Sequence, residues 1–287
     1  MAEPQDHTIV RAGIYPAIGI ARVGNSLETE EGEGWFVGPE VQYPEPQPPG
    51  FTKDQHGALK RQAAKFRLYG FNAAGDVVRE ITLDDPNTEI EWTVHVANKK
   101  AAWYEFQVAL DIPEAVPLRL RNNNYQGADR QKLVIDPGPV TIQDRNQHGE
   151  QYHFNKGKFI DEPVYLGELR TDGQGRLIFL GGRGHSNSPF PNNRAGDFAN
   201  NDGWHDDTSD GPVSAKLSID GHEIEVDPAW VVTAPPNYGT EIVEVRNMYD
   251  VIYDALISGL WLEAPKTVSF VDDIYPIQYS FVYTQWV

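Results

Sequence analysis

The stretch Ile90-Glu91-Trp92-Thr93-Val94-His95-Val96 decides the fold class of this chain. Its apolar residues alternate with polar ones at a period of two, which is typical of a strand that buries one face and exposes the other. Short apolar runs of this kind recur along the sequence and are separated by clusters of glycine, proline, asparagine and aspartate. We therefore predict a mainly β protein of antiparallel sheets packed as a sandwich, with a few helices.

Three pairs of apolar runs flank turn sequences and predict β-hairpins. The first joins residues 133–135 to 140–142 across Asp136-Pro137-Gly138-Pro139. The second joins residues 165–169 to 177–180, and the third joins residues 215–219 to 223–226 across Asp220-Gly221. Turn signals at this spacing favour antiparallel neighbours.

Two segments have the spacing of amphipathic helices. Residues 56–68 place four basic side chains around Leu59, Ala63, Ala64 and Phe66 and predict a short helix. Residues 240–262 repeat apolar side chains at helical spacing after Thr240-Glu241, which suits a helix N-terminus, and predict a long helix near the C-terminus. Aromatic and apolar residues stay dense from residue 268 to Val287. This density fits a docked terminal strand, a chain that continues further, or a surface handed to a partner.

Composition excludes several classes of function. The chain has 24 basic and 42 acidic residues in 287, a formal net charge of −18, which opposes binding to nucleic acid and to anionic membranes. It contains no cysteine, so disulfides, thiol catalysis and cysteine-ligated metals are excluded within these residues. No run of apolar residues is long enough to span a membrane, and no signal peptide is visible. We expect a soluble protein, either cytoplasmic or secreted by a non-standard route.

The loop at residues 200–211 is the main candidate for chemistry. It contains Trp204, His205 and four aspartates: Asp202, Asp206, Asp207 and Asp210. Aspartates in such loops often cap turns, and the same carboxylates could hold calcium, although their spacing does not fit an EF-hand. Both interpretations stay open, and we assign no metal. A glycine-rich segment lies at Gly181-Gly182-Arg183-Gly184-His185-Ser186. It lacks the phosphate-binding pattern, and its glycines predict a tight loop.

Several segments, in order along the chain, resemble one family of enzymes, the cysteine tryptophylquinone-dependent amino-acid oxidases of the L-lysine ε-oxidase and glycine oxidase group. They are residues 15–26 (Tyr-Pro-Ala-Ile-Gly-Ile-Ala-Arg-Val-Gly-Asn-Ser), 167–172, 180–186, 201–213, 228–232 and 234–238. The resemblance runs from about Tyr15 to the last residue.

The resemblance implies oxidative deamination of a primary amine by O2, which yields an aldehyde or keto acid, ammonia and hydrogen peroxide. In the family the quinone is made from a Cys and a Trp of the same chain, with help from a separate flavoprotein. This chain departs from the pattern, because it has no Cys and family members are more than twice as long. The resemblance therefore implies a β-rich N-terminal domain at residues 1–235, and at 236–287 the helical start of a truncated quinone-bearing domain.

Three interpretations reconcile the missing cysteine with the resemblance: a fragment of an oxidase, one subunit of a split enzyme, or a free-standing binding or assembly subunit without catalysis. A calcium-stabilised β module is a further alternative. On the oxidase interpretation, this chain holds no catalytic residue and no cofactor. Its expected partners are the C-terminal quinone-bearing half, a small amino-acid substrate, and a second copy of itself in a homo-oligomer.

The family resemblance also suggests roles for individual residues. Tyr238, in a turn stiffened by two prolines, is the best match to an aromatic side chain that lines the family's substrate pocket; packing of this tyrosine on the core is the alternative. Trp204, His205, Asp206, Asp207 and Asp210 are expected to be structural and to hold a loop against the catalytic half. We expect Arg22 to pair with a buried carboxylate.

Overall fold

The computed structural model of the protein describes residues 6–41, 47–106, 119–197, 199–237 and 248–283. The chain divides into two compact units. The larger is formed by Met1–Gly38 and Thr52–Pro236, and the smaller by Pro39–Phe51 and Asn237–Val287.

The larger unit is built of strands, most of them short. In chain order they are β1 (Arg11–Tyr15), β2 (Ile18–Arg22), β3 (Trp35–Val37), β4 (Arg61–Phe71), β5 (Val77–Ile81), β6 (Thr88–Val94), β7 (Val140–Gln143), β8 (Lys158–Phe159), β9 (Glu162–Pro163), β10 (Gly167–Thr171), β11 (Leu177–Gly181), β12 (Ser186–Asn187), β13 (His205–Asp206), β14 (Asp210–Ile219), β15 (His222–Ile224), β16 (Val226–Asp227) and β17 (Ala229–Ala234). Short 3₁₀ helices occupy Lys100–Ala102, Gly127–Leu133 and Glu150–Tyr152.

Thirteen of the described strands are joined by hydrogen bonds into one large mixed sheet. Its main path runs β10-β11-β4-β2-β17-β14-β6-β7, and β1, β3 and β5 also pair with β4. Most pairs are antiparallel, while β1–β16, β2–β17 and β3–β4 are parallel. The predicted mainly β fold class is confirmed, and the parallel pairs are an addition to it.

Strand β4 lies at the centre of this sheet, where a helix at residues 56–68 was predicted. That prediction is wrong: β4 pairs with five other strands, and Ala63, Ala64, Phe66 and Leu68 are all buried. The basic residues do not form the solvated face of a helix. Lys65 instead reaches Asp172 at 3.0 Å, so a charge on this strand is balanced by a carboxylate that approaches from elsewhere in the chain.

Two of the three predicted hairpins are confirmed. Strands β10 and β11 pair in antiparallel register, and so do β14 and β15. The hairpin at residues 133–142 is wrong, because Ile135 bridges to Asn98 and β7 pairs with β6. The Asp136 carboxylate lies 2.7 Å from His95 Nε2 and also accepts the Gly138 N–H. The Pro-Gly segment therefore links two strands that each pair elsewhere.

The alternating stretch at residues 90–96 contributes the largest fully buried side chain. The predicted strand is β6, and Trp92 is 1% exposed. Its indole Nε1 donates to the Gly175 carbonyl at 2.9 Å, so its polar atom is satisfied inside the core. Burying about 200 Å² of indole surface at about 25 cal/mol per Å² stabilises the fold by roughly 5 kcal/mol before entropy costs.

The described part of the smaller unit contains the helices α1 (Met248–Ser258) and α2 (Tyr275–Tyr283), with a π-helical turn at Phe270–Ile274. The long helix predicted for residues 240–262 is thus present as the shorter α1; residues 240–247 lie outside the described residues. The chain leaves α1 through Leu260, whose φ is +60°. A docked terminal strand is wrong for residues 270–283, which are helical. Within the described residues, neither helix has the length and apolar content needed to cross a lipid bilayer.

Candidate functional site

Three of the segments that carry the family resemblance, residues 167–172, 180–186 and 201–213, lie next to one another in the fold. The β10–β11 hairpin leads directly into the glycine-rich turn at residues 181–186. Strand β12, at the end of that turn, pairs with β13, which contains His205 and Asp206. We define the candidate site as this turn, strand β13 and the neighbouring residues 162–168.

Asp207 holds the glycine-rich turn in place. It is only 3% exposed, and its carboxylate accepts backbone N–H groups from Arg183 at 2.6 Å, Gly184 at 3.2 Å and His185 at 3.0 Å. Burial raises the pKa of Asp207, while the N–H donors and His185 oppose that rise. A Cβ on Gly182 would stand 2.4 Å from the Asp207 carbonyl oxygen, so the turn needs glycine at this position.

Asp206, in β13, is held by a different set of groups. Its carboxylate pairs with Lys100 and accepts hydrogen bonds from the Asn98 amide at 3.1 Å and from the Thr208 N–H and hydroxyl at 2.9 and 2.7 Å. Burial tends to raise the pKa of Asp206, but the Lys100 charge and these hydrogen bonds outweigh it and lower the value. The carboxylate is therefore ionised and holds residues 98–100 against β13.

Asp202 and Asp210 make separate contacts. Asp202 accepts the Asn122 N–H at 2.8 Å and lies 3.2 Å from the Arg119 guanidinium. Asp210 accepts the Trp230 indole N–H at 3.0 Å. Each aspartate of the loop thus satisfies a different donor, and in the described part of the chain no three acidic or histidine side chains gather closely enough to hold a metal ion. Of these aspartates, only Asp206 caps its own turn, through the Thr208 N–H, while the other three bind donors from distant segments.

Trp204 and His205 are the two loop residues whose polar atoms lack described hydrogen-bond partners. The indole Nε1 of Trp204 and both ring nitrogens of His205 are buried without one. The His205 side chain is 5% exposed, its ring packs on Phe159 with centroids 5.2 Å apart, and its Nε2 lies 3.6 Å from a Glu162 carboxylate oxygen. That separation is longer than a hydrogen bond, so neither His205 ring nitrogen has a hydrogen-bond partner among the described residues.

A surface pocket of about 510 Å³ opens beside His205. Glu162, Tyr165, Arg183 and His185 line it together with His205. The Arg183 guanidinium lies 5.5 Å from the centre of the Tyr165 ring. The Asp207 carboxylate lines the pocket as well. The pocket thus combines a cation, two imidazoles and two carboxylates, groups that can bind and orient a polar molecule.

Glu168 forms a buried charge network behind this pocket, which was not predicted from the sequence. Its carboxylate accepts two hydrogen bonds from Arg170 at 2.8 and 2.9 Å and one from the Tyr165 hydroxyl at 2.5 Å, and it lies 3.5 Å from Arg61. Burial would raise the pKa of Glu168, but the Arg61 charge, the Tyr165 hydroxyl and Arg170 together lower it to about 2. The same burial raises the pKa of Tyr165, which stays a neutral hydrogen-bond donor.

The pairing of Glu168 could not be found from local sequence. Its nearest partner in the chain, Arg170, is two residues away on the same strand, whereas Arg61 is on β4 and more than a hundred residues away. The only signal was that Glu168 and Arg170 both fall in the segment 167–172 that carried the family resemblance.

The predicted roles of Tyr238 and Arg22 have different outcomes. Tyr238 lies outside the described residues, so its role stays a prediction. Arg22 was expected to pair with a buried carboxylate, which is wrong for the described residues. Its guanidinium donates to the Pro235 carbonyl at 2.9 Å instead, and partial burial lowers its pKa.

Comparison with known proteins gives one consistent result. The family model described as L-Lysine epsilon oxidase N-terminal matches residues 15–233. The chain is 31% identical over 320 aligned residues to the L-lysine 6-oxidase of Marinomonas mediterranea, covering 96% of this chain and 42% of that protein.

Solved structures of the L-Lys ε-oxidase from the same organism agree. One structure of that enzyme superposes with a TM-score of 0.72, and the crystal structure of its Schiff base intermediate with L-Lys superposes with 0.71. Both are 29% identical in sequence and are matched over 96% of this chain and 45% of their own length. The chain thus spans less than half the length of these relatives. Because the family model covers residues 15–233 and the similarity extends over nearly all of the chain, this protein belongs to the L-lysine ε-oxidase N-terminal family.

Proposed function

We propose that these 287 residues act as the N-terminal portion of a quinoprotein amino-acid oxidase. In that reaction a primary amine of an amino acid, O2 and water give an aldehyde or keto acid, ammonia and hydrogen peroxide. The observation that carries the proposal is the match over 96% of the chain, in sequence and in fold, to an L-lysine oxidase.

The cysteine tryptophylquinone cofactor does not fit the residues present. Its formation needs a cysteine sulfur bonded to a tryptophan, and the chain has seven tryptophans but no cysteine. The proposal therefore places the quinone on residues beyond these 287, on the same polypeptide or on a partner subunit. By the same resemblance, a flavoprotein would modify that partner region, and the complete enzyme would be a homo-oligomer.

The part that this chain would supply is a rigid scaffold beside the reacting centre. Asp207 fixes the glycine-rich turn through three backbone N–H groups, and Asp206 ties β13 to residues 98–100. Preorganised surfaces of this kind suit the wall of a substrate pocket or an interface with a second domain. On this proposal, Trp204, His205, Asp206, Asp207 and Asp210 hold the interface loop, and Tyr238 lines the substrate pocket.

The test is native mass spectrometry of the protein purified from its source, combined with a redox-cycling stain for quinone. The oxidase proposal expects mass beyond the 32.2 kDa of this chain, contributed by a cysteine-bearing segment, together with a positive stain. It also expects hydrogen peroxide when the preparation is given L-lysine or another amino acid.

A species of 32.2 kDa or a simple multiple of it, with no stain and no peroxide, would overturn the proposal. That result would support the other interpretation, a binding or assembly subunit that descends from the same family. Assaying a panel of amino acids in parallel would identify the substrate.

A further inference from the structure

Exposed apolar side chains cluster on the outer side of the large sheet, where three adjacent strands meet. Strands β2 and β17 are parallel neighbours that place Ile18 beside Trp230 and Ile20 beside Val232. Strand β14 adds Pro212 on the other side of Trp230. Ile18, Ile20 and Trp230 are 52%, 43% and 42% exposed. We call these five residues the apolar face.

The apolar face is a local exception on its side of the sheet. A Cβ on Gly19 would stand 2.3 Å from the Phe66 ring in the core, so the residues on either side of Gly19 point away from the core. A sheet that buries one face usually exposes polar residues on the other. Strand β6, next to β14, follows that rule with Glu89, Glu91 and Thr93. The apolar side chains on β2 and β17 are thus typical of a surface that another protein covers.

The size of the apolar face suits the centre of a protein–protein interface. Its exposed part is on the order of 300 Å², comparable to the largest apolar patch on a typical monomer. Stable interfaces bury about 800 Å² on each partner, with an apolar centre inside a polar rim. The apolar face therefore supplies a centre, and the residues around it have to supply the rim.

Two opposite charges lie at one end of the apolar face, on the two strands that flank β17. Arg22 follows Ile20 on the outer side of β2, and Asp210 lies on β14 beside Val232. Neither side chain forms a salt bridge within the part of the chain that the structure describes. Arg22 donates to a backbone carbonyl, and Asp210 accepts the indole N–H of Trp230. Both therefore keep a charge that a partner can pair.

We propose that the apolar face is the contact surface between two copies of this chain, related by a twofold axis parallel to β17. Such an axis sets Trp230 opposite its counterpart and exchanges the sides on which β2 and β14 lie. Arg22 then faces Asp210 of the partner subunit, and the reverse pair forms on the other side. Two sheets packed face to face lie about 10 Å apart, which leaves room for one layer of side chains from each copy.

The charge of the whole chain supports this choice of surface. A formal net charge of −18 makes two copies repel each other in most orientations. The apolar face has no charged residue, and the two Arg22–Asp210 pairs at its edge are attractive. It therefore allows two acidic copies to approach with little repulsion.

The inference names the contact face of the homo-oligomer in the proposed function, and in that respect it rests on that proposal. The two can still fail separately. Association of this chain is measured without quinone, substrate or turnover, whereas the oxidase proposal is tested by the stain and by peroxide.

The first experiment is sedimentation equilibrium of the 287-residue chain over a range of concentrations. We expect a species of twice 32.2 kDa in reversible equilibrium with the monomer. Ile18→Lys should weaken dimerisation at least ~100-fold, because it buries an unpaired charge at the centre of the contact. The matched control is Val77→Lys, at a residue that is 54% exposed on β5, away from the apolar face; it should dimerise as the unaltered chain does.

The second experiment tests the twofold axis by mixing charge variants. Arg22→Glu alone and Asp210→Lys alone each set two like charges opposite each other in the dimer, and each should weaken dimerisation about 10-fold. An equimolar mixture of the two variants should form a mixed dimer about as tightly as the unaltered chain, since both of its pairs are again opposite in charge. Damage to the fold of either variant would not be repaired by mixing.

Three results would overturn the proposal. An unaltered chain that stays monomeric would mean that residues outside these 287 cover the apolar face. Dimerisation that survives Ile18→Lys would place the contact elsewhere, for example on the exposed helices α1 and α2. A mixture that dimerises no more tightly than the single charge variants would exclude the proposed axis. If a charge variant does not fold, Ile18→Lys compared with Val77→Lys decides the question.

Discussion

Replacing Glu168 by glutamine tests the buried charge network most directly. The change keeps the size of the side chain but removes its charge. In the folded protein that charge is 4% exposed and is opposed by Arg61, which is 1% exposed, and by Arg170. Glu168→Gln therefore leaves a buried guanidinium without its counter-charge. An unpaired buried charge is one of the few single-residue changes that lower the free energy of unfolding by several kcal/mol.

The size of the loss follows from the pKa of Glu168. Its value falls from 4.5 to about 2 on folding, because Arg61, Tyr165 and Arg170 stabilise the ionised form more than burial destabilises it. At about 1.4 kcal/mol for each pKa unit, ionised Glu168 stabilises the folded state by about 3 kcal/mol at neutral pH. Since the folded pKa lies below the unfolded one, this stabilisation is complete above about pH 4.5 and is lost as the pH falls towards 2.

The assay is urea denaturation at several pH values between 7 and 2.5. At pH 7, Glu168→Gln should lower the free energy of unfolding by about 3 kcal/mol. Between pH 4.5 and 2.5 the unaltered protein should lose stability faster than the variant, so the two curves converge. The control is Glu91→Gln, which breaks a pair with the exposed Lys216 and should cost less than about 1 kcal/mol.

A difference between Glu168→Gln and the unaltered protein that stays constant from pH 7 to 2.5 would refute the reasoning. It would mean that the loss comes from packing or from the altered hydrogen bonds, with no contribution from the charge. A loss at pH 7 no larger than that of Glu91→Gln would refute it as well.

Three further substitutions test how the site and the core are held. Asp207→Ala should lower the free energy of unfolding by about 3 kcal/mol in urea denaturation, because three backbone N–H groups of the glycine-rich turn lose their acceptor; a loss below about 1 kcal/mol would contradict this. Gly182→Ala should lower the melting temperature, since its Cβ would stand 2.4 Å from the Asp207 carbonyl oxygen, whereas Gly196→Ala, with open space around it, should not; equal melting temperatures would contradict the close approach. Trp92→Phe should cost about 2–4 kcal/mol by calorimetric unfolding, through lost volume and the lost bond to Gly175, and a neutral result would show that the core repacks freely.

The sequence predicted those elements whose signal is local, either a turn between adjacent strands or a regular alternation of apolar and polar residues. The β10–β11 hairpin closes over a few residues rich in glycine and aspartate, so its turn chemistry is visible locally. Strand β6 was predicted because only one of its faces is buried, which produces clean alternation. The family resemblance was equally accessible, because it depends on the order of whole segments and not on spatial contacts.

The wrong predictions share a physical cause. Strand β4 is buried along most of its length and flanked by strands from distant segments, so its residues do not alternate simply and its basic side chains imitate a helix face. The segment at residues 133–142 carries strong turn residues, yet Ile135 and β7 find better partners in Asn98 and β6. Local propensity loses in both cases to pairing that buries more apolar surface.

The amino-acid sequence by itself therefore determined the mainly β class, two of the hairpins and the family. Only the tertiary structure decided that Glu168 meets Arg61, that Asp207 holds the turn at residues 181–186, and that His205 and Arg183 line one pocket, with no hydrogen-bond partner for the His205 ring among the described residues. These contacts join residues from about 20 to more than 100 positions apart. Their energies depend on burial and distance, which arise only when the sheet brings the segments together.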